Sequence, residues 1–122
     1  MAPTTIAGMK TTSSPYGRDV KTMGAPLRMC ELLAQVEGAT FVSRRSLHSP
    51  AEIRKAKKAI HRAFETQLNG QGFAMVELLA TCPTNWDMAP VDAMRWLEKN
   101  MLPVYPLGDF RSVAGKGPMR GV

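Results

Sequence analysis

The stretch from Thr40 to Ala80 constrains the fold more than any other part of the chain. Thr40 to Leu47 reads as a strand, apolar at its start and basic in its second half. Ser49-Pro50-Ala51-Glu52 then supplies a strong helix start. Ser49 is the N-cap, Pro50 takes the first helical position where a missing N–H costs nothing, and Glu52 completes a capping box. Asn69-Gly70 closes that helix, predicted over residues 50–69. Phe73 to Ala80 is an apolar run interrupted only by Glu77, which suits a strand covered on both faces in a parallel sheet. Strand, helix and strand form one βαβ unit, expected to be right-handed.

The flanking segments are weaker. Leu27 to Val36 reads as a short helix with Met29, Leu32, Leu33 and Val36 on one face, ended by Gly38. After a loop over 81–88, Pro90 opens another helix and Pro103 stops it. Its stripe of Ala93, Met94, Trp96, Leu97 and Met101 is read as core or subunit interface. Residues 1–26 are rich in Thr, Ser, Gly and Pro and lack periodicity, which suits a loop that wraps a ligand or a partner. The chain beyond Asp109 is basic and is expected to fray, with 111–122 a flexible tail. Two parallel strands leave open edges and bury little. The expected class is therefore α/β, part of a larger doubly wound parallel sheet: a βαβ unit plus a C-terminal helix, short of its sheet partners.

Composition narrows the function classes. The chain has 122 residues, 44% hydrophobic and 21% charged, which fits one small α/β or α+β domain or part of a larger one. No apolar run approaches the roughly 20 residues that span a bilayer. Residues 1–8 lack the basic start and apolar core of a signal peptide, so no membrane is expected and a cytoplasmic location is the default expectation. The net charge of +6 is local: Arg44 to Arg62 holds seven Lys/Arg against one Glu, while the rest holds nine basic and nine acidic residues. On a helix over 50–69, Arg54, Lys55, Lys58 and Arg62 share one side and Ile53, Ala56, Ile60, Phe64 and Leu68 the opposite one. A solvated charged face explains this. Contact with a polyanion or an acidic protein is the sharper alternative. No aromatic residue interleaves with the charges, so nucleic acid is not an expected partner.

The titratable residues offer few ligand sets. Cys30 lies in an apolar stretch and Cys82 at the end of the second strand, just before Pro83. Two such cysteines make neither a zinc site nor an expected disulfide. His48 and His61 have no metal-ligand spacing. Glu77, a carboxylate in an apolar strand, requires a partner and is read as structural.

Several strings, in order along nearly the whole chain, carry a family resemblance. They are Met1-Ala2-Pro3-Thr4-Thr5, Lys10-Thr11-Thr12-Ser13-Ser14-Pro15-Tyr16-Gly17, Leu27 to Leu33, and Leu47-His48-Ser49-Pro50. Val76-Glu77-Leu78-Leu79, Thr81-Cys82-Pro83-Thr84-Asn85-Trp86 and Tyr105-Pro106-Leu107-Gly108 complete the set. Together they resemble the C-terminal part of the thiamine-diphosphate-binding β subunit of 2-oxoacid:ferredoxin oxidoreductases. The Cys82-to-Trp86 string is the most specific, and it is closer to the 2-oxoglutarate and branched-chain oxoacid types than to pyruvate enzymes.

The resemblance implies a complete subunit that works with an α subunit, converting a 2-oxoacid and coenzyme A to acyl-CoA and CO₂ and passing two electrons to ferredoxin. It implies thiamine diphosphate, Mg²⁺ and a [4Fe–4S] cluster. Residues 1–26 then correspond to a cofactor-side loop and 27–110 to the C-terminal part of the cofactor-binding domain. Thr4 and Thr5 would lie near thiamine diphosphate or substrate; turn chemistry alone also explains them. Cys82 would be one cluster ligand in the complete subunit, and a buried structural cysteine is the plainer reading. Thr84 and Asn85 would shape a pocket, or Asn85 would fix its own turn. The family's Gly-Asp-Gly motif for Mg²⁺ and the diphosphate is absent from this sequence, so that anchoring is assigned to no residue and no catalytic residue is named. The expectation is a β-subunit fragment, inactive alone. The alternative is a non-catalytic interaction module that uses its basic helix and open sheet edge.

Overall fold

A computed structural model describes residues 4–113. The chain divides into two compact units, residues 1–28 with 80–106 and residues 29–79 with 107–122.

The second unit is the βαβ scaffold. β1 (Ala39–Ser46) pairs in parallel with β2 (Phe73–Leu79), and α3 (Pro50–Leu68) joins them. α1 (Val20–Met23) and α2 (Met29–Leu33) precede it in the chain. Ser49 caps α3 as its sequence demands, its Oγ accepting the Glu52 N–H at 3.3 Å with Pro50 at the helix start. The Glu52 carboxylate turns instead to Lys55, 2.6 Å away. At the far end Gly72, at φ +123°, lies where an added Cβ would collide with the Gly38 carbonyl 2.7 Å away. Only glycine allows that close approach.

The sheet differs from expectation in one strand. β3 (Gly108–Ser112) pairs antiparallel with β1, which gives the order β2-β1-β3 and a mixed sheet. These residues were expected in and beside a frayed tail; they are ordered because Phe41 to Arg44 of β1 pair with them, across one register shift between Val42 and Ser43. Residues 1–3 and 114–122 lie outside the described residues. A second correction follows from the order. β1, not β2, is the strand buried along its length, whereas β2 pairs, among the described residues, with β1 alone and leaves Phe73 and Leu78 exposed.

Burying β1 means burying Ser43, Arg44 and Ser46, and each finds partners. Ser43 Oγ donates to Asp109 at 2.7 Å, and Ser46 Oγ lies 2.8 Å from His48 Nδ1. Arg44 is fully buried. Its Nε donates to Glu77 Oε2 at 2.6 Å, its Nη1 to Glu31 Oε1 at 3.0 Å and its Nη2 to Glu31 Oε2 at 2.5 Å. Its Cζ lies 4.8 Å from the centre of the Phe110 ring. Burial opposes the charge of Arg44, but the hydrogen bonds to Glu31 and Glu77 outweigh it and hold the guanidinium above its ordinary pKa. One side chain on the central strand thus touches α2, β2 and β3.

α2 turns a different face inward from the one its apolar pattern predicts, and α3 buries only part of its predicted stripe, Ala56 fully and Ile60 by half. α2 buries Cys30, and Ala34 just after it, against Ala39 and Val42, leaving Leu32 and Val36 exposed. The geometry that brings Glu31 to Arg44 and Cys30 to Glu77 sets that rotation. α3 buries the small residues Ala56 and Ala59 together with Thr66. Its large apolar residues Phe64 and Leu68 stay 67% and 86% exposed, so that stripe overhangs rather than covers the sheet.

The first unit packs around α5 (Pro90–Trp96) and the π-helical turns Leu97–Met101 that continue it. Ala93, Leu97, Met101 and Tyr105 are buried, and Trp86 meets Trp96 at 5.1 Å between ring centres. Asn100 Nδ2 donates to the Trp96 carbonyl at 3.0 Å inside the widened turns. Arg44→Met should cost about 3–5 kcal/mol of stability, because it leaves two carboxylates beside an apolar cluster. Denaturant unfolding of R44M and of the triple variant R44M/E31Q/E77M measures it. The triple variant should recover most of the loss; a single-variant loss below about 1 kcal/mol would contradict the role given to the network.

Candidate functional site

Two loops of the first unit build the site. The opening loop is held from inside by Arg18, which is itself buried. Its Nη1 donates to the Thr5 carbonyl at 2.9 Å, its Nε to the Gly24 carbonyl at 2.9 Å and its Nη2 to the Ala25 carbonyl at 3.2 Å. Backbone carbonyls thus solvate the guanidinium, and one residue fixes a loop that lacks regular structure. Gly17, at φ +84°, lies against Gly8; an added Cβ would sit 2.8 Å from the Gly8 carbonyl oxygen. Thr11 and Ser14 close the tip, exchanging two backbone hydrogen bonds at 3.2 and 3.0 Å.

The second loop follows β2. Cys82 precedes the short helix α4 (Pro83–Trp86), and its carbonyl accepts the Trp86 N–H at 2.9 Å. Asp87 ends the turn at φ +53°, a left-handed conformation that Asp tolerates better than most residues and that recurs at functional loops. The loops are tied by a pair of bonds: Thr12 N donates to the Asn85 carbonyl at 2.9 Å, and Thr12 Oγ1 to Asn85 Oδ1 at 2.6 Å. Lys10, Thr11, Thr12, Asn85, Trp86 and Asp87 line a concavity of about 310 Å³ beside this tie.

The residues expected to matter fall into distinct places. Thr5 is buried with its carbonyl held by Arg18, and Thr4 is half-buried. Cys82 and Thr84 are exposed. Asn85 neither stands alone nor fixes only its own turn, because its side chain bonds to a residue 73 positions away. Lys10, Thr12 and Asp87 carry no ligand signature in sequence; the recurrence of Thr, Ser and Asn on both segments was the one available hint.

The two thiols differ in chemistry. Cys30 is buried and its Sγ–H donates to Glu77 Oε2 at 3.1 Å. Burial, then the hydrogen bond and the charge of Glu77, push its thiol up to about 12. Cys30 is thus a poor metal ligand. Cys82 offers an exposed sulfur in a loop after a parallel strand, chemically suited to iron. One thiol is one ligand, and among the described residues no group of three His, Cys, Asp or Glu side chains could hold a metal ion. No helix among them is long and apolar enough to cross a membrane.

Comparison with known proteins finds relatives of this chain. The sequence is 46% identical over 111 residues to ketoisovalerate oxidoreductase subunit VorA of Methanothermobacter marburgensis, a match covering 91% of this chain and 23% of that protein. It is 35% identical over 100 residues to 2-oxoglutarate synthase subunit KorB of Archaeoglobus fulgidus, covering 82% of this chain and 33% of that one. The chain is homologous, over most of its length, to part of a ketoisovalerate oxidoreductase subunit and part of a 2-oxoglutarate synthase subunit. A 2-oxoglutarate synthase subunit KorB of Methanocaldococcus jannaschii is a further such relative, 32% identical over 108 residues with 84% of this chain and 35% of that one covered. The chain thus spans between about a quarter and a third of the length of these oxidoreductase subunits. One ketoisovalerate oxidoreductase subunit and two 2-oxoglutarate synthase subunits stand among them, the two types the Cys82-to-Trp86 string resembles. No family model and no solved structure matches the chain.

A thiol-reactive disulfide reagent at pH 8 should titrate one thiol in the folded chain, Cys82, and both in denaturant; rapid labelling of Cys30 in the folded chain would contradict the burial described. Cys30 has a pKa raised from 9.0 to about 12 on folding, so the unfolded chain loses its proton first as pH rises. Its contribution to stability is therefore complete below pH 9.0 and lost on rising toward pH 12, and Cys30→Ala should flatten that part of the pH–stability curve.

Proposed function

We propose that this chain serves as part of a subunit of a 2-oxoacid:ferredoxin oxidoreductase, an enzyme complex that decarboxylates a 2-oxoacid oxidatively. The similarity to the VorA and KorB subunits over most of the chain carries the reading. In that role the chain works with the rest of its subunit and with an α subunit. The substrates are a branched-chain 2-oxoacid or 2-oxoglutarate together with coenzyme A, and ferredoxin takes the two electrons. Thiamine diphosphate, when bound, supplies an acceptor for the negative charge left when CO₂ departs.

Cys82 is proposed as one of the ligands of a [4Fe–4S] cluster, the others coming from outside this chain. Its exposure supports this, as does its position in the loop after a parallel strand, where α/β folds gather ligands. Thr4 and Thr5 are proposed to lie on the cofactor side of the opening loop. Thr4 is the more accessible of the two, and Arg18 fixes the backbone between them and the rest of the loop. Diphosphate and Mg²⁺ anchoring are assigned to no residue of this chain, which on this reading is inactive alone.

A second reading, an interaction module without catalysis, draws on one specific observation. Phe64 and Leu68 on α3 and Phe73 on β2, an edge strand among the described residues, are exposed apolar residues of the kind that neighbouring chains cover. The first reading accommodates the same residues as contact with the rest of the subunit, so it ranks ahead.

Joined to the remainder of its subunit and co-expressed with the α subunit, the protein should be brown and should reduce viologen when given a 2-oxoacid. Cys82→Ser in that complex should lose iron and viologen reduction while keeping subunit assembly by gel filtration. Unchanged iron content in the assembled variant would remove Cys82 from the ligand set.

A further inference from the structure

The cations of the basic helix are exposed, as a solvated charged face requires, and three of them border one hollow on the sheet. Lys55, Lys58 and Arg62, at i, i+3 and i+7, share one side of α3 and turn it toward β1 and β3. With Arg45 from β1 and Asp109 from β3 they ring a concave pocket of about 220 Å³ floored by Phe41 and Ala59. Four cations thus face one carboxylate. Asp109 is already shared: its Oδ1 accepts Arg45 Nη2 at 2.6 Å and its Oδ2 lies 3.8 Å from Arg62 Nη1. Ser43 Oγ donates to the same carboxylate at 2.7 Å and helps fix it. Arg62 is held further by Ser112 Oγ and by its position 4.7 Å from the centre of the Phe41 ring.

Not every cation of this arrangement is paired with a carboxylate. Arg45 Nε is buried and has no hydrogen-bond partner among the described residues. Lys58 has no carboxylate partner among them, whereas Lys55 pairs with Glu52. Like charges gathered around one hollow repel one another, and an anion placed among them relieves that repulsion and meets preorganised donors. Guanidinium and ammonium groups gathered around one hollow match the oxygens of a phosphate as charged hydrogen-bond donors. The pocket is smaller than the roughly 300–1,000 Å³ of sites that enclose a whole drug-sized ligand, so it fits the charged end of one.

We propose that this pocket is an anion site that grips the phosphate or diphosphate group of a small molecule, with Arg45, Lys58 and Arg62 as the contacting side chains. The site stands apart from the oxidoreductase reading, since it uses none of the residues assigned there. Asp109 is its positioning residue, orienting Arg45 and Arg62 without touching the ligand.

Calorimetric titration of the 122-residue chain with inorganic pyrophosphate tests it. Saturable binding to one site is expected, weakened about tenfold or more by Lys58→Glu. Lys57→Glu, an equal charge change on the same helix but outside the pocket, should leave it nearly unchanged. Should K58E lose helical circular dichroism, Lys58→Gln replaces it with the same expected direction. Absence of saturable binding, or equal losses in K58E and K57E, would overturn the proposal by showing only a diffuse field. Tighter binding of polyglutamate than of pyrophosphate would also overturn it, marking an acidic polypeptide as the occupant.

Discussion

A buried arginine governs the scaffold of this protein. Arg44 sits on the central strand among Glu31, Glu77 and Phe110, so the elements that carry those residues are specified together. A buried ion network of this kind adds little net stability over an apolar core, yet removing one member is costly because the others are left charged and dry. Its effect here is on arrangement. It fixes which face α2 presents and holds β1 and β2 in the register that sets Arg44 beside Glu77. It also leaves Cys30 next to a carboxylate, which makes that thiol inert.

The consequences run in both directions along β1. On one side of the strand Val42 and Arg44 meet α2, and on the other Phe41 and Arg45 meet α3. Small residues on α3, Ala56 and Ala59, let the helix lie close to the sheet. Its cations are thereby drawn around the pocket beside Asp109, and its large apolar residues are displaced outward past β2. The loop that follows β2 carries Cys82, and in the first unit the Thr12–Asn85 tie holds that loop to the opening segment. Among the described residues Phe64 and Leu68 of α3, Phe73 of β2 and the Cys82 thiol are all exposed.

The βαβ unit was legible because its boundaries are local: Ser49, Pro50 and Asn69-Gly70 dictate a helix whatever surrounds it. The faces of the helices were not, because they depend on residues far apart in sequence. Arg44 looked like part of a solvated basic run, and nothing near it in sequence announces the two glutamates that permit its burial. The short β3, with Asp109 and Arg111 in five residues, lacks apolar alternation and is ordered only by the edge of β1. Glu77 was correctly read as needing a partner, since an apolar strand cannot hold a lone carboxylate. In the candidate site, Cys82 stood out through the family resemblance, whereas Thr12 and Asp87 gain meaning only once the loops meet.

The most direct test replaces the matching segment of the Methanothermobacter marburgensis ketoisovalerate oxidoreductase subunit with this chain and assays the assembled complex for 2-oxoacid-dependent viologen reduction. Retention of a substantial part of the parent activity, with the parent's iron content, is the predicted result. An assembled, soluble complex that holds the parent's iron but reduces no viologen with any 2-oxoacid would contradict the oxidoreductase role.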